Sequence, residues 1–244
     1  MSRGLLSEAT RSVKTRLGKT THPKYRSDVI RGFIFDLDGT LVDSLPGIAA
    51  ALNHALKDLD LPPHSQTAVA GFIGDGVDNL VRRALGDELA DHREEVLTRF
   101  QAHYPHDWKT GTHPYPGIMD LLEKLSNTGV PLAVLSNKPH PYTVEIVKTI
   151  FPSGLFAPVL GHRPGFPRKP DPTVALEIVE SWQLSPSEVA YVGDSSVDLA
   201  TARAAGLVPL IFSWGYGAPD DFPLLDSAED LKKHLLSDSG TGLG

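Results

Sequence analysis

The sequence predicts an α/β protein with a doubly wound parallel sheet and a helical cap inserted after the first strand. Short apolar runs alternate with helical patterns in residues 29–45 and 112–236, whereas residues 46–111 carry helical patterns and no strand signal. Strands that alternate with helices favour a parallel sheet joined by right-handed crossovers. We therefore expect an α/β core from 29–45 and 112–236, a cap at 46–111, a basic arm at 1–28 and a flexible tail at 237–244.

The first strand and the cap follow from apolar spacing. Residues 29–35 form an apolar run that reads as a buried strand, and it ends at Asp36. Apolar residues then recur every three or four positions, which is typical of one buried helix face. This spacing predicts four helices, at 48–59, 67–73, 77–85 and 88–104. Because proline cannot continue a helix without losing a hydrogen bond, Pro105 is expected to close the fourth.

After residue 115 the pattern alternates regularly between helix and strand. Strands are expected at 130–135, 158–160, 189–192 and 208–212. Helices are expected at 116–127, 142–150, 171–182, 196–206 and 228–236. Asp171 followed by Pro172 suits a helix start, with Asp at the N-cap and Pro at the first helical position. The Gly- and Ser-rich end beyond residue 236 predicts a frayed tail.

Composition bounds the possible partners and the compartment. The 244 residues include 41% hydrophobic and 22% charged residues, which is ordinary for a globular protein. The net charge of −7 argues against a nucleic-acid partner, and no apolar run is long enough for a membrane span. With no cysteine in the chain, we expect neither disulfides nor thiol chemistry, and a cytoplasmic protein. A monomer and a homodimer both remain open.

The first 31 residues form a distinct basic segment, with eight Lys or Arg residues against Glu8 and Asp28. A Ser- and Arg-rich, acid-poor start resembles an organelle transit peptide. A solvated basic arm is the favoured interpretation, and targeting is the alternative.

Two carboxylates, Asp36 and Asp38, come directly after the first strand, where open α/β sheets bind their ligands. Carboxylates held close repel each other unless a cation lies between them or one holds a proton. The pair therefore indicates a Mg²⁺ site in which one carboxylate is free to attack a substrate. An ordinary Asp-Gly turn explains these residues alone equally well, since Gly39 permits a sharp turn.

Polar residues also stand at the ends of three later elements. Ser136 ends the second core strand, and its hydroxyl and the nearby backbone N–H groups could hold phosphoryl oxygens. Lys169 lies beside a helix start, where it would neutralise a phosphate and Asp36. Asp194 and Asp198, one helical turn apart, supply the oxygen ligands that Mg²⁺ prefers. Each has a structural alternative. Ser136 could belong to an ordinary turn, and Lys169 could be a solvated charge. Asp194 and Asp198 could simply stabilise the start of a helix.

These segments resemble the four motifs of the haloacid dehalogenase (HAD) superfamily, in order. Asp36-Leu37-Asp38-Gly39-Thr40-Leu41-Val42-Asp43-Ser44 resembles the first motif, in the form found in phosphatases of the phosphoglycolate phosphatase type. Ser136-Asn137-Lys138-Pro139, Lys169-Pro170-Asp171-Pro172 and Gly193-Asp194-Ser195-Ser196-Val197-Asp198 resemble the second, third and fourth. The resemblance spans about residues 29–236 and implies a HAD core with a helical cap.

In this family the first Asp attacks phosphorus, and the second Asp acts as the general acid and base. The resemblance thus gives Asp36 the role of nucleophile that forms an aspartyl phosphate. It makes Asp38 the general acid and base, whose backbone carbonyl also binds Mg²⁺. Gly39, Thr40 and Asn137 are expected to contact the phosphoryl group.

The remaining motif residues complete the expected site. Ser136 and Lys169 are expected to be catalytic, through contact with the phosphoryl oxygens. The resemblance makes Asp194 a direct metal ligand, and Asp198 either a ligand or a residue that orients metal-bound water.

The cap is expected to select the leaving group. Arg82 or Arg83 could bind a carboxylate there, although a solvated helix face explains both equally well. Asp75 makes the pocket less cationic than a small anionic leaving group would favour. We interpret His103, His106 and His113 as surface residues and expect His140 to line the pocket.

The sequence therefore predicts a Mg²⁺-dependent phosphatase of small phosphate monoesters, with 2-phosphoglycolate as the leading substrate. The alternatives within the fold are a pyrophosphatase, a nucleotide or sugar phosphatase and a phosphosugar mutase. A dehalogenase is disfavoured because Asp38 and Asp194 are both present. A phosphonatase would need a cap lysine for a Schiff base, and only Lys57 precedes the lysine-free stretch 60–98. A non-catalytic binding protein is disfavoured because Asp36, Lys169 and Asp194 are all retained.

Overall fold

The computed structural model describes residues 30–236 of the chain. The predicted basic arm at 1–28 and the predicted tail at 237–244 lie outside these residues. Among the helices of residues 30–236, none combines the length and the apolar character that a membrane crossing requires.

A six-stranded parallel sheet forms the centre of the molecule. Its strands are β1 (Gly32–Phe35), β4 (Leu132–Pro139), β5 (Val159–His162), β6 (Val189–Gly193), β7 (Val208–Phe212) and β8 (Leu224–Leu225). The order across the sheet is β5-β4-β1-β6-β7-β8, and every neighbouring pair is parallel. The chain fills one side of β1 and then the other, so the strand order reverses beside β1. A crevice opens at such a reversal, and ligands bind there.

Alternate residues of the central strands enter two different hydrophobic layers. Phe33 and Phe35 of β1 belong to one buried cluster, and Ile34 belongs to the other. The helices that cover the sheet are α5 (Ile118–Asn127), α6 (His140–Ile150), α7 (Thr173–Ser181), α8 (Ser196–Ala205) and α9 (Ala228–Leu236). Buried residues of α5, α6 and α9 share the layer of Phe33, and those of α7 and α8 share the layer of Ile34. The predicted doubly wound sheet is confirmed.

Helices alone fill the chain between the short strands β2 (Val42–Asp43) and β3 (His113–Pro114), which pair antiparallel. These helices are α1 (Leu45–Lys57), α2 (Gln66–Ala70), α3 (Val77–Leu85), a 3₁₀ turn (Ala90–His92) and α4 (Arg93–Gly111). We call residues 45–111 the helical insertion. Its buried residues continue the hydrophobic cluster of one face of the sheet, so the insertion and the sheet share a core.

The predicted end of the fourth helix is wrong, because α4 continues through Pro105 to Gly111. Proline deprives the carbonyl of Gln101 of its helical partner, and Gln101 is exposed, so water can satisfy this group. Tyr104 and Trp108, on either side of the proline, are both buried. Their packing outweighs the local cost of the proline.

Three short strands were not predicted. β2, β3 and β8 each have two residues, too few to show an alternating pattern. β2 and β3 draw together the two chain segments that enter and leave the helical insertion.

Helices α1 and α4 cross at Gly47, and this contact gives a test of the fold. A Cβ at Gly47 would lie 2.9 Å from the backbone Cα of Trp108. We expect Gly47→Ala to lower the free energy of unfolding by about 1–3 kcal/mol, because backbone atoms cannot move aside without separating the helices. Urea unfolding measures the change.

Gly71→Ala is the matched control. Gly71 follows α2 with a φ of −69°, and a Cβ there would lie in ordinary contact, 3.4 Å from the nearest carbonyl oxygen. We expect this change to be close to neutral. Equal stability of the two variants would contradict the close crossing of α1 and α4.

Candidate active site

Asp36 occupies the carboxyl end of β1, at the reversal of the strand order. Its backbone N–H donates to Val192 of β6 over 2.9 Å, so the sheet fixes its position. Lys169 Nζ lies 2.8 Å from Asp36 Oδ1, and both side chains are nearly enclosed. Burial raises the pKa of Asp36 to about 7, an effect that Lys169 opposes and Asp198 strengthens. Asp36 is therefore a buried carboxyl held between opposing charges.

A tight turn after Asp38 brings the loop against Asp194. Gly39 has a φ of +87°, and a Cβ at this position would lie 2.5 Å from a carboxylate oxygen of Asp194. Thr40, which is buried, donates its hydroxyl to Asp194 Oδ1 over 2.8 Å. We predicted that Gly39 and Thr40 contact phosphate. The structure instead commits the Thr40 hydroxyl to Asp194, and Gly39 makes room for that carboxylate.

Asp194 follows β6 and is almost completely buried. Thr40 occupies one carboxylate oxygen, and the backbone N–H of Tyr216 donates to the other, Oδ2, over 2.8 Å. Burial raises the pKa of Asp194 well above its ordinary range, and the neighbouring Asp198 and Asp36 raise it further. This crowding of like charges favours a cation.

Asp198, in the first turn of α8, uses both of its oxygens within the protein. Oδ1 accepts from Lys169 Nζ over 2.7 Å. Oδ2 accepts from the backbone N–H groups of Asp194 and Ser195, over 3.2 and 3.1 Å, and from the Ser195 hydroxyl over 2.6 Å. Asp198 thus completes the N-terminal cap of α8 and holds Lys169 against Asp36. Both predicted roles of Asp198, as a metal ligand and as a residue that orients metal-bound water, stay predictions.

Lys169 carries the positive charge at the centre of the site. Burial alone would lower its pKa, but Asp198 and Asp36 together raise it well above the ordinary value. The ammonium therefore stays charged. Among the residues that the structure describes, Lys169 is the cation that pairs with both Asp36 and Asp198.

The carboxylates fit a metal ion. Asp36, Asp194 and Asp198 each offer an oxygen, and these oxygens lie within 4.8 Å of one another. Asp36 Oδ1 is buried and receives no aligned hydrogen bond from any residue between 30 and 236, although Lys169 is close. An unsatisfied buried oxygen among crowded carboxylates suits a hard divalent cation.

Asp38 is paired with Lys138, a residue to which we assigned no role from the sequence. Lys138 Nζ donates to both oxygens of Asp38, over 2.9 and 2.8 Å, and its side chain is only 5% exposed. Ser136, Asn137 and Lys138 all line the cavity, where the pairing of β4 with β5 is irregular. A lysine two residues after Ser136, within the second motif, was the signal available in the sequence.

Ser136 and Asn137 are adjacent in β4 but make different contacts. Ser136 is buried and lines the same cavity as Asp36, and its contact with a phosphoryl oxygen stays a prediction. The Asn137 amide is fully used, since its Nδ2 donates to the carbonyls of Gly74 and Lys169, both at 3.1 Å. Its Oδ1 accepts from the backbone N–H of Lys169 over 2.9 Å. This amide holds Lys169 and the helical insertion in place, and its contact with phosphate stays a prediction.

The two cap arginines do not form a free anion site. Arg82 is exposed and donates to Asn79 over 3.3 Å, and it lines neither of the two cavities that contain both Asp36 and Asp38. Arg83 forms an ion pair with Asp75 and donates to the Phe72 carbonyl over 3.1 Å. Arg83 lines a cavity together with Asp36 and Lys169, and its charge is paired with Asp75. The substrate contacts of Arg82 and Arg83 stay predictions.

Tyr216 is a second residue that the sequence did not reveal. Its hydroxyl accepts from the backbone N–H groups of Ser44 and Leu45, over 2.8 and 2.9 Å, and donates to Asp43 over 2.9 Å. Its own N–H binds Asp194. Tyr216 therefore ties the start of α1, and with it the helical insertion, to the carboxylate cluster.

Most histidines lie away from the site. His106 and His113 are exposed, as predicted. His103 is half-buried and lies 2.8 Å from Asp58, while His54 lies 2.8 Å from Asp107, so both form interhelical pairs between the α1 and α4 regions. The prediction that His140 lines the pocket is wrong, because its Nδ1 accepts from the backbone of Gly161 instead.

Comparison with known proteins agrees with this geometry. Residues 33–211 match the haloacid dehalogenase-like hydrolase family. The chain is 39% identical over 218 residues to a phosphoglycolate phosphatase of Cereibacter sphaeroides, covering 84% of this chain and 99% of the relative. It is 34% identical over 215 residues to a phosphoglycolate phosphatase of Escherichia coli, covering 79% and 85%.

A solved structure gives the same result for the fold. A haloacid dehalogenase-like family hydrolase from Streptococcus pneumoniae superimposes with a TM-score of 0.75 at 26% identity. The match covers 85% of this chain and 99% of that one.

The buried carboxylates predict an unusual response of the metal-free protein to pH. The unfolded chain releases the Asp36 proton near 3.8, whereas the folded chain holds it until about 7. The folded state therefore binds more protons in this window, so stability in EDTA falls as pH rises through it. Urea unfolding across about pH 4 to 8 should show this fall, and a divalent cation should oppose it most at the upper end.

Asp36→Asn provides the control. It removes one titrating carboxyl and its repulsion with Asp38 and Asp198, so the stability in EDTA should depend less steeply on pH. A wild-type stability that rises with pH throughout this window would contradict the assigned charge crowding.

Proposed function

This chain belongs to the haloacid dehalogenase-like hydrolase family, and we propose that it hydrolyses 2-phosphoglycolate to glycolate and phosphate in a Mg²⁺-dependent reaction. Its relatives at 34–39% identity are named phosphoglycolate phosphatase, which makes this chain a phosphoric monoester hydrolase. The observation that carries the mechanism is the placement of Asp36 and Asp38 beside Lys169 and Lys138 in one cavity.

The reaction begins with attack of the Asp36 carboxylate on phosphorus. A bond forms from an Asp36 oxygen to phosphorus, and the bond from phosphorus to the leaving oxygen breaks. Asp38 gives its proton to that oxygen, so the leaving group departs as an alcohol. Asp38 then takes a proton from water, which attacks phosphorus and releases phosphate and free Asp36.

Mg²⁺, held by Asp36, Asp194 and the Asp38 carbonyl, would neutralise phosphoryl charge and favour the ionised form of Asp36. Lys169 contributes the second positive charge beside the nucleophile. Ser136, at the end of β4, supplies a hydroxyl for a phosphoryl oxygen. Asp198 and Asn137 hold Lys169 in position through hydrogen bonds to its ammonium and its backbone N–H.

A bulkier phosphate monoester is the second candidate substrate. The cavity next to Asp36 and Asp38 has a volume of about 210 Å³ and lies between the sheet and the helical insertion. Its walls are largely apolar, with Ile48, Ile73, Val77, Leu80 and Phe100 among the lining residues. These walls would suit a leaving group larger and less polar than glycolate. A pyrophosphatase stays an alternative, because Lys138 and Lys169 also line this cavity.

Several sequence predictions accompany this proposal. The cytoplasmic location, the monomeric or homodimeric state and the lack of nucleic-acid and membrane partners stay predictions. The phosphosugar mutase also stays an alternative, since its product differs only in where the phosphoryl group goes.

Phosphate release from a panel of monoesters tests the proposed function directly. The panel contains 2-phosphoglycolate, sugar and nucleotide monophosphates and pyrophosphate, each with Mg²⁺ and with EDTA. We expect Mg²⁺-dependent release, fastest from 2-phosphoglycolate. Release that persists in EDTA would contradict the metal dependence, and an equal rate for all esters would contradict the substrate.

The Asp36→Asn variant tests the nucleophile. We expect turnover to fall by about 10⁴-fold or more, because the amide cannot form the acyl phosphate. Asp120→Asn, on the exposed face of α5, is the matched control and should retain wild-type activity. A substantial rate in folded Asp36→Asn would exclude Asp36 as the nucleophile.

A further inference from the structure

The cavity beside Asp38 contains a buried cation, Lys138, to which no step of the proposed reaction assigns a contact with the substrate. Lys138 lines this cavity, and both hydrogen bonds of its ammonium described above go to Asp38. Lys169, the other lysine of the cavity, is already shared by Asp36 and Asp198. Lys138 is therefore the cation of this cavity that an incoming anion can reach by displacing a single partner.

Tyr104 provides a second polar group in the same cavity. It projects from α4 of the helical insertion, and the Lys138 ammonium lies 4.9 Å from the centre of its ring. Its hydroxyl is buried and forms no well-aligned hydrogen bond with any residue of 30–236, although the Lys138 ammonium is its polar neighbour. A buried hydroxyl without a partner costs free energy, so it marks a place where a ligand can accept a hydrogen bond.

The ion pair also restrains Asp38. With both carboxylate oxygens bound to one ammonium, the Asp38 side chain is held toward Lys138. Another anion on Lys138 would release Asp38 to turn toward the substrate. The surrounding walls are largely apolar, which strengthens any charge pair formed there.

We propose that Lys138 and Tyr104 form a binding site for a carboxylate on the leaving group, and that this carboxylate replaces Asp38 on Lys138. The inference rests on the proposed phosphatase function and names the substrate class, a phosphate ester of a small hydroxy acid. Lys138 is here a specificity-determining residue from β4, and Tyr104 is its counterpart from the insertion. A substrate without the carboxylate leaves Asp38 tied to Lys138.

A pair of substrates that differ only in this charge isolates the effect. 2-Phosphoglycolate and its neutral amide, 2-phosphoglycolamide, have nearly the same shape. We expect the wild-type enzyme to favour the carboxylate by about 10²-fold in kcat/KM, in line with a buried charge-assisted contact. Free glycolate should inhibit competitively, and glycolamide should inhibit far less.

Two variants test the two residues. Lys138→Met removes the ammonium but keeps an extended side chain, so the preference for the carboxylate should fall to within a few-fold of unity. Tyr104→Phe removes only the hydroxyl, and the preference should fall by about 3- to 10-fold. If either residue had only a structural role, its loss would lower kcat/KM equally for both substrates. The ratio of the two kcat/KM values would then be unchanged.

Lys109→Met is the matched control. Lys109 lies on the same helix as Tyr104 but is exposed, 3.7 Å from Glu145, and does not line the cavity. Its loss should leave the substrate ratio at the wild-type value.

The outcomes separate the two proposals. Equal hydrolysis of both substrates by the wild type would overturn the carboxylate site and leave the phosphatase function intact. A wild-type preference that survives in both Lys138→Met and Tyr104→Phe would also overturn it. Hydrolysis of neither substrate would overturn the proposed function, and the carboxylate site with it. If Lys138→Met does not fold, the ratio in Tyr104→Phe and the inhibition by glycolate decide the matter.

Discussion

The constraint on which the structure depends is the charge balance at the carboxyl end of the sheet. Four carboxylates, those of Asp36, Asp38, Asp194 and Asp198, lie in or beside one largely enclosed site. Two buried lysines neutralise half of this charge, Lys169 between Asp36 and Asp198 and Lys138 on Asp38. Two negative charges remain, which is the charge that one divalent cation would balance.

The topology of the sheet assembles this balance from distant parts of the chain. Asp36 follows β1, Lys138 ends β4, and Asp194 follows β6, and these three strands are neighbours. Tyr216 then connects Asp194 to the start of α1 by hydrogen bonds at both ends. Asn137 makes a second connection, from Lys169 to Gly74 of the insertion. The position of the helical insertion and the geometry of the carboxylates are thus coupled.

Much of this arrangement could be predicted from the sequence, and the failures have physical causes. Buried strands and amphipathic helices show clear periodicity, and motif spacing places Asp36 and Asp194 at strand ends. Local patterns do not report a tertiary contact, however. Pro105 ended a helix in the prediction because the burial of Tyr104 and Trp108 is not visible in local propensity.

The side-chain contacts of the site could not be predicted for a related reason. Asn137 and Thr40 were expected to bind phosphate, which stays a prediction, and the sequence did not show that each also forms a hydrogen bond that positions a neighbouring group. Arg83 was a candidate for an anion, yet Asp75 is its partner. A motif identifies a residue type at a place, whereas the direction of each donor depends on which partner the fold brings near it. Tyr216 lies outside all four motifs, so no local signal revealed its role.

The central claim, that Asp36 is the nucleophile of this site, is tested most directly by trapping the intermediate. Wild-type protein would be mixed with 2-phosphoglycolate and Mg²⁺, quenched in acid within one turnover, reduced with borohydride and mapped by peptide mass spectrometry. We expect Asp36 to be converted to homoserine, the product of reducing an aspartyl phosphate, with Asp38 and Asp194 unchanged. Conversion at another residue, or phosphate release with no modified residue at any quench time, would contradict the assignment.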